Sequence, residues 1–199
     1  MKTTLLFLLL SSSLSIAQTT IMFQDGIGSR TPLIPLHNHN SLEDSWKSAN
    51  LVSLGIDHFI TGSIAIMSGI EYNSYAFGEY TGVTPDDATS NYDGDATHIY
   101  RISVEGKFVN PPNRNFTFYI VAGLCYNIEH IGIIRLNGWS PISTYQTPKQ
   151  SKYYWMQTIG IGERWSFFDR FGADLTGRLY TDYSAHFHES LVLGFFYIL

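Results

Sequence analysis

The sequence lacks the features of a disulfide-bonded, nucleic-acid-binding or helix-anchored protein. Its one cysteine, Cys125, cannot form an internal disulfide. Seventeen acidic residues outnumber twelve lysines and arginines, which gives a net charge of −5 and no basic cluster for nucleic acid. Beyond the N-terminus, no segment approaches the roughly 20 continuous apolar residues of a transmembrane helix. We predict no nucleic-acid partner, and the sequence has no cofactor motif.

The first seventeen residues have the features of a secretory signal peptide. Lys2 supplies the positive charge, residues 5–10 the short apolar core, and Ser15-Ile16-Ala17 the small residues of a cleavage site. We expect export to the periplasm, removal of residues 1–17, and a single mature domain over residues 18–199. No cysteine follows the expected cut, which argues against a lipoprotein anchor.

The mature chain contains long segments in which apolar and polar residues alternate. In residues 96–109 the even positions from His98 to Phe108 are mostly apolar or aromatic, whereas the odd positions include Arg101, Glu105 and Lys107. Strand side chains alternate between two faces, so one face of this segment is apolar and the other is charged. Alternating segments of about ten residues are typical of transmembrane β-barrels.

Short turns and long polar stretches determine the number and direction of the strands. Tight connections at residues 60–62, 110–114 and 167–170 are expected in the periplasm, and the long stretches 29–48, 79–95 and 131–150 outside the cell. We predict an all-β fold: an eight-stranded antiparallel up-and-down transmembrane β-barrel with short periplasmic turns and longer extracellular loops. Its strands are residues 18–28, 49–59, 63–78, 96–109, 115–130, 151–166, 171–184 and 188–199.

A secreted β-sandwich is the alternative fold, because sandwich strands also alternate. The predicted strands, at about 11–16 residues, are longer than the 5–6 residues that are usual in sandwiches. Two strands fit the barrel pattern less well. The first alternates poorly, and in residues 151–166 Gln157 and Glu163 fall on the nominal lipid face, which a β-bulge would correct.

The signal, the alternating strands and the final segment, residues 189–199, together resemble the small bacterial outer-membrane β-barrel superfamily. That group includes the outer-membrane protein A membrane domain and the opacity-type porin-like proteins. The resemblance implies contact with outer-membrane lipid and lipopolysaccharide, and recognition of the C-terminal strand by the barrel-assembly machinery. Such strands typically end in an aromatic residue, whereas this chain ends in Leu199, with Tyr197 two positions earlier.

The inward face of the predicted barrel carries charges of both signs. An eight-stranded barrel is just wide enough for side chains to fill its interior, and buried charges persist only when they are paired. We therefore predict a lumen ion-pair network that plugs the barrel. Its members are Glu71, Arg101, Glu105, Lys107, Asp174 and Arg178, and Asp57, Glu129 and Asp182 also face inward.

Catalytic and metal-binding signals are few. Lipid A deacylases are small barrels of similar length that carry His-x-Ser on a late strand, but here Asp182 takes the place of that histidine before Ser184. A serine without a neighbouring base is not activated, and His186 and His188 are the remaining candidates. His37-x-His39 and Asp93-Gly94-Asp95 lack the spacing of a metal site, and no metal site is predicted.

These observations favour a non-enzymatic integral outer-membrane protein with a plugged lumen. It would display surface loops for adhesion, surface interaction or envelope integrity, and the sequence identifies no loop partner. A lipid-modifying enzyme such as a lipid A deacylase is one alternative. A small porin-like channel is the other, and it would require an open lumen.

Overall fold

The computed structural model describes residues 18–32, 48–76, 80–83, 89–110, 116–137, 144–146, 148–182 and 186–199. Within them the chain forms β1 (Thr19–Pro32), β2 (Ser48–Thr61), β3 (Ile64–Tyr75), β4 (Tyr80–Val83), β5 (Thr89–Gly94), β6 (Thr97–Val109), β7 (Phe116–Ile131), β8 (Ile134–Asn137), β9 (Thr144–Gln146), β10 (Gln150–Phe168), β11 (Phe171–Thr181) and β12 (His186–Ile198). None of these residues belongs to a helix that is long and apolar enough to cross a membrane.

Eight of the strands close into a barrel. Their order around the wall is β1-β12-β11-β10-β7-β6-β3-β2, and every neighbouring pair is antiparallel. The first and last strands pair along their length, from Thr20 with Ile198 to Pro32 with His186, which closes the sheet. The predicted eight-stranded antiparallel up-and-down barrel is therefore confirmed.

The barrel has two different ends. At one end, tight connections such as Gly62-Ser63 and Asp169-Arg170 join the strands. The beginning of β1 and the end of β12 lie at this same end. We call this the turn end. At the opposite end, the loop end, the segments between strands are longer.

The pairing register staggers the strands by ten residues around the barrel. One row of cross-strand partners runs from Glu163 on β10 through Leu175, Leu193, Asp25, Val52, Tyr72, Tyr100 and Ile128 to Tyr153, again on β10. The difference, 163 minus 153, is the stagger. Closure with such a stagger requires strands tilted by about 35–45° to the barrel axis.

The two faces of the wall differ in polarity as the alternation predicts. Large apolar side chains point outward and are exposed on every barrel strand, among them Phe23, Leu54, Ile70, Val104, Ile120, Ile161, Leu179 and Leu193. Inward positions hold the buried charges, including Asp57, Arg101, Lys107 and Asp174. This inverts the arrangement of a water-soluble protein, since the polar groups are inside.

Several predicted strand boundaries were wrong. β1 extends to Pro32 instead of ending at residue 28, and β3 ends at Tyr75 instead of residue 78. β11 ends at Thr181 instead of residue 184, and β12 begins at His186 instead of residue 188. Cross-strand pairing determines where each strand begins and ends, and the alternation of apolar and polar residues does not show where that pairing stops.

The β-bulge that would turn Gln157 and Glu163 inward is not present within residues 151–166. β10 pairs with β7 without interruption from Gln150 to Trp165, and the register shift towards β11 falls later, between Ser166 and Phe168. Gln157 and Glu163 therefore do face outward. Each lies two residues from an outward-facing tryptophan, Trp155 or Trp165, near one end of the barrel wall.

The long segments 79–95 and 131–150 contain strands that the sequence analysis did not predict. They form a second antiparallel sheet in the order β4-β5-β8-β9. This order matches β3-β6-β7-β10 in the barrel, and each short strand adjoins one of those four along the chain. One wall of the barrel therefore continues beyond the loop end, and we call this continuation the loop-end sheet.

A close backbone contact forms the junction between barrel and loop-end sheet. The Asp95 amide donates to the Ile133 carbonyl (2.9 Å), and the Gly132 amide donates to Thr97 Oγ1 (3.0 Å). A Cβ at Gly132 would lie 2.1 Å from the Asp95 carbonyl oxygen, so only glycine fits. Arg135 forms an exposed ion pair with Asp95 across the junction (3.0 Å).

Ile120→Arg tests the assignment of the outward face. Ile120 is 52% exposed on β7, two positions inside Phe118, so arginine there would meet hydrocarbon. We expect the free energy of unfolding in lipid vesicles to fall by about 2–4 kcal/mol if the site lies near the midplane. Phe168→Arg, at the turn end, should change it by about 0–1 kcal/mol. Equal losses for the two variants would contradict the outward register of β7.

Candidate functional site

The lumen contains two clusters of buried charges. We name the first, near the turn end, the turn-end layer; its charged members are Asp57, Lys107, Arg164 and Asp174. Lys107 Nζ lies 2.8 Å from Asp57 Oδ2 and 3.9 Å from Asp174 Oδ2. Arg164 bridges the same two acids, with Nη2 2.8 Å from Asp57 and Nε 3.0 Å from Asp174. Two cations and two anions from β2, β6, β10 and β11 thus neutralise one another.

Neutral side chains complete the coordination of Asp174. The Tyr119 hydroxyl donates to Asp174 Oδ1 at 2.5 Å, and Gln24 Nε2 donates to the same oxygen at 2.9 Å. Thr176 Oγ1 donates to it at 2.8 Å and also contacts the Tyr119 hydroxyl. A buried carboxylate is stable when its lone pairs are occupied in this way, so Asp174 connects β1, β7 and β11.

Aromatic rings cover the cations of the turn-end layer. Lys107 Nζ lies 3.7 Å from the centroid of the Tyr119 ring, and Arg164 Cζ lies 4.4 Å from that of Phe196. Gly162 makes room for the tyrosine, because a Cβ there would be 2.2 Å from Tyr119 Cζ. The absence of a side chain on β10 therefore lets a ring from β7 lie across the lumen.

The second cluster, the loop-end layer, has Glu71, Arg101, Glu105 and Arg178 as its charged members. Arg101 pairs with Glu71, its cross-strand neighbour, and its guanidinium stacks 3.6 Å from the Tyr180 ring centroid. The Tyr180 hydroxyl donates to Glu71 Oε2 at 3.0 Å. This arrangement links β3, β6 and β11 around one buried arginine.

The remaining donors and acceptors of the loop-end layer come from neighbouring strands. Arg101 Nε donates to Asn127 Oδ1 (2.8 Å), and Arg101 Nη2 lies 3.2 Å from His188 Nδ1. Arg178 Nε lies 3.4 Å from Glu105 Oε1, which also accepts from Thr158 Oγ1 at 3.0 Å. Two cations again meet two anions, so this layer is also neutral.

Apolar side chains and a small cavity separate the two layers. Met22, Met67, Val121 and Phe196 pack together with Tyr119 in the interior. Beside them lies a cavity of about 20 Å³ bordered by Gln24, Ser53, Ser103 and Tyr180. That volume accommodates about one water molecule.

A larger opening lies at the turn end. It has a volume of about 280 Å³ and is lined by hydroxyl and apolar side chains, including Thr20, Thr117, Val109 and Ile198. Lys107, Tyr119 and Arg164 border it as well. The turn-end layer therefore meets this opening directly.

All six residues of the predicted network point into the lumen, and they divide between the two layers. Glu71, Arg101, Glu105 and Arg178 lie in the loop-end layer, and Lys107 and Asp174 in the turn-end layer. Lys107 pairs more closely with Asp57 than with Asp174. Glu129 faces inward and is buried, whereas Asp182 is half-buried just beyond β11.

Sequence reasoning missed several members of the site. Arg164 was overlooked, although its even number on β10 assigns it to the face opposite Gln157 and Glu163. Gln24, Tyr119 and Tyr180 were also missed, because they contribute through hydroxyl and amide groups and carry no charge. Strand parity was the signal that could have identified all four.

Of the candidate catalytic residues Ser184, His186 and His188, only the side chain of His188 is among the described residues. Ser184 lies outside the described residues, and of His186 only the backbone, paired with Pro32 in β12, is described. His188 points into the lumen and is buried against Arg101 and the edge of the Tyr75 ring. The candidate metal ligands His37 and His39 lie outside the described residues, as do Tyr183 and Ala185 beside Ser184. Asp95 of the acidic loop pairs with Arg135.

Aromatic rings form a belt on the outer wall near each end. At the turn end Phe116 contacts Phe118 (4.5 Å) and Trp165 (6.2 Å), and Phe171 is the cross-strand partner of the exposed Tyr197. Phe171 also stacks on Phe195 (5.7 Å), which lies two residues further into the apolar band. At the loop end the rings concentrate on β3, β6, β7 and β10, in the pairs Tyr72–Tyr100 (5.1 Å), Tyr100–His130 (5.9 Å) and Tyr126–Trp155 (5.1 Å). Paired belts around an apolar band are typical of membrane barrels.

The chain is similar in structure to several solved outer-membrane proteins. Ail, the attachment invasion locus protein of Yersinia pestis, matches with a TM-score of 0.57 and 11% identity over 92% of this chain and 99% of that chain. OprG from Pseudomonas aeruginosa matches with a TM-score of 0.58 and 7% identity over 92% and 96%. Neisserial surface protein A matches with a TM-score of 0.50 and 9% identity over 90% and 96%.

No protein-family model and no curated protein sequence matches the chain. The structural likeness defines the class of fold: this is an eight-stranded β-barrel of the outer-membrane type. The predicted resemblance to small outer-membrane barrels is therefore confirmed at the level of the fold.

Arg101→Met tests the contribution of buried ion pairs to stability. The change leaves Glu71 buried without its cation, and we expect the free energy of unfolding to fall by about 3–5 kcal/mol. Arg135→Met removes an arginine from an exposed pair and should cost about 0–1 kcal/mol. Denaturant titrations in lipid vesicles measure both. Adding Glu71→Gln to Arg101→Met should recover part of the loss, and no recovery would contradict the pairing.

Proposed function

We propose that this protein is an integral outer-membrane barrel that does not conduct solutes and that presents its loop-end sheet at the cell surface. The observation that carries the proposal is the filled lumen. Two neutral layers of paired charges, separated by packed methionines, lie one above the other inside a barrel of only eight strands. An ion entering the lumen would have to separate pairs that have almost no water to replace them.

The outer wall supports placement in a membrane. Its exposed apolar band is bordered by two aromatic belts, and the residues from Tyr100 to Phe108 on β6 span the distance between them. Eight residues of a strand tilted by about 40° rise roughly 20 Å, close to the ≈ 25 Å band of outer-membrane barrels. We infer that the turn end faces the periplasm, since short turns lie on that side in such barrels.

Surface presentation is supported by the loop-end sheet. It extends the wall formed by β3, β6, β7 and β10, and the Arg135–Asp95 pair and the Gly132 junction connect it to the barrel. Two of the similar structures have names that refer to such roles: Ail is an attachment invasion locus protein, and the other is Neisserial surface protein A. A sheet held above the outer leaflet would suit adhesion or surface interaction in the same way.

The lumen position of His188 argues against a lipid-modifying enzyme. A lipid substrate would reach the barrel from outside, whereas His188 lies inside against Arg101. We expect the contacts with outer-membrane lipid and lipopolysaccharide to be made by the apolar outward face of the barrel wall. The apolar row Leu191, Leu193, Phe195 and Tyr197 on β12 suits recognition of the C-terminal strand by the barrel-assembly machinery.

Planar-bilayer recordings test the closed lumen. The unmodified protein should insert and show no steady conductance, because both layers block the path. Replacing Arg101 and Arg178 together with neutral residues should lower the free energy of unfolding and should not produce an open pore. The reason is that Glu71 and Glu105 would lose their partners. A large, stable conductance from the unmodified protein would favour the porin-like alternative.

Labelling of intact cells tests location and orientation. In a Cys125→Ser background, Lys149→Cys lies at the loop end and Arg170→Cys in a turn, both exposed. A membrane-impermeant thiol reagent should modify the first in intact cells and the second only after the outer membrane is opened. The reverse pattern would show that the barrel is inverted, and equal labelling of both in a soluble fraction would refute membrane insertion.

A further inference from the structure

One carboxyl group faces outward within the apolar band. Asp25 is on β1, between Phe23 and Ile27, whose side chains are 56% and 64% exposed. Its cross-strand partners are Val52 on β2 and Leu193 on β12, and both point outward. Asp25 is itself exposed, and these four direct neighbours on the outer wall are all apolar.

The depth of Asp25 follows from its register. Leu193, beside it, precedes Tyr197 of the turn-end belt by four residues on β12. Four residues of a strand tilted by about 40° rise roughly 10 Å. Half of an apolar band of about 25 Å is roughly 12 Å. Asp25 therefore lies near the middle of the predicted membrane.

Position distinguishes Asp25 from Gln157 and Glu163, the polar outward residues of β10. Gln157 and Glu163 each lie two residues from a tryptophan of a belt, where water and lipid headgroups are near. Within the described residues, the one hydrogen bond of the Asp25 side chain is from the adjacent Gly26 amide to Oδ1 (2.9 Å). A carboxyl group left in hydrocarbon with so few partners is costly.

We propose that Asp25 marks an interface at which a second copy of this chain docks in the membrane, its Asp25 facing the first. The interface is the Asp25 face: Phe23, Asp25, Ile27, Val52, Leu191 and Leu193. The inference rests on the proposed membrane location. A twofold axis along the membrane normal brings identical residues together at identical depth.

Equal depth makes the carboxyl group self-complementary. The protonated form of a carboxyl group carries one O–H donor and one carbonyl acceptor. Two such groups facing each other form two O–H···O hydrogen bonds, each group donating once and accepting once. A protein partner with a lysine or arginine at this depth would satisfy a single carboxylate, and the experiment below distinguishes that outcome.

Among the described residues, the loop-end sheet lies over a part of the wall away from this face. The loop-end sheet adjoins β3, β6, β7 and β10, and the loop-end aromatic pairs are on those same strands. The Asp25 face is formed by β12, β1 and β2 instead. Its other members are aliphatic apart from Phe23, so two copies would bring apolar surfaces together around the carboxyl pair.

The test measures dimerisation of the purified full-length mature protein in phosphatidylcholine vesicles at a series of protein-to-lipid ratios, by single-molecule photobleaching. We expect a monomer–dimer equilibrium in the unmodified protein. Asp25→Leu should raise the ratio needed for half-dimerisation by about tenfold, because both hydrogen bonds are lost. Asp25→Asn should stay within about threefold, since a carboxamide is also a self-complementary donor and acceptor.

Matched variants locate the contact. In a Cys125→Ser background, Ile27→Cys should form a disulfide-linked dimer on oxidation, whereas Val104→Cys, equally outward-facing on β6, should not. Glu163→Leu should leave dimerisation unchanged. A protein that inserts but remains monomeric at every ratio, or an Asp25→Leu variant that dimerises like the unmodified protein, would overturn the inference.

The remaining outcomes are also decisive. Monomers in pure vesicles that associate only with a separate cation-bearing membrane protein would overturn the second-copy proposal. If Asp25→Leu fails to fold, the Ile27→Cys cross-link and the Asp25→Asn variant still decide the question. Failure of the unmodified protein to insert would refute the proposed function, whereas insertion as a monomer would refute the dimer alone.

Discussion

Charged side chains inside a narrow closed barrel have almost no water to solvate them, so each must be neutralised by another side chain. In this protein several of the partners come from strands that are not neighbours in the wall. Asp57 on β2 and Asp174 on β11 are joined through Lys107 on β6 and Arg164 on β10. A slip of two residues in any of these strands would leave a buried charge without its partner. The pairing therefore specifies the register of the wall, and with it the stagger of ten residues.

The outer face obeys the opposite constraint, because hydrocarbon accepts apolar side chains and rejects polar ones. Each strand must satisfy both constraints at alternate positions, which produces the alternation seen in the sequence. The wall tolerates polar outward residues near the belts, as Gln157 and Glu163 show. Asp25, far from either belt, departs from the rule, and local departures of this kind are where an interaction with another molecule is expected.

Alternation, together with the order of short turns and long polar stretches, was sufficient to predict the barrel, the number of strands and the inward position of Glu71, Arg101 and Lys107. It could not specify which charges meet, because contacts across the lumen depend on stagger and tilt, which no single strand reveals. Arg164 was missed for a related reason. The polar residues Gln157 and Glu163 on the nominal lipid face of β10 made the facing of this strand ambiguous. The strands of the loop-end sheet were not predicted because short segments such as Thr144–Gln146 show no extended alternation. Ser184 and the first external loop lie outside the described residues, and the expectations about them remain predictions.

The central claim is that water does not pass through the lumen from one end to the other. Nuclear magnetic resonance of the arginine Nε–H protons in lipid nanodiscs tests it most directly, because their exchange with solvent reports access to each guanidinium. Arg101 Nε donates to Asn127 and Arg164 Nε donates to Asp174, whereas Arg135 is half exposed at the loop end. The account predicts slow exchange for Arg101 and fast exchange for Arg135, with Arg164 between them because it borders the turn-end opening. Equally fast exchange at all three would show that water passes through the lumen and would contradict the claim.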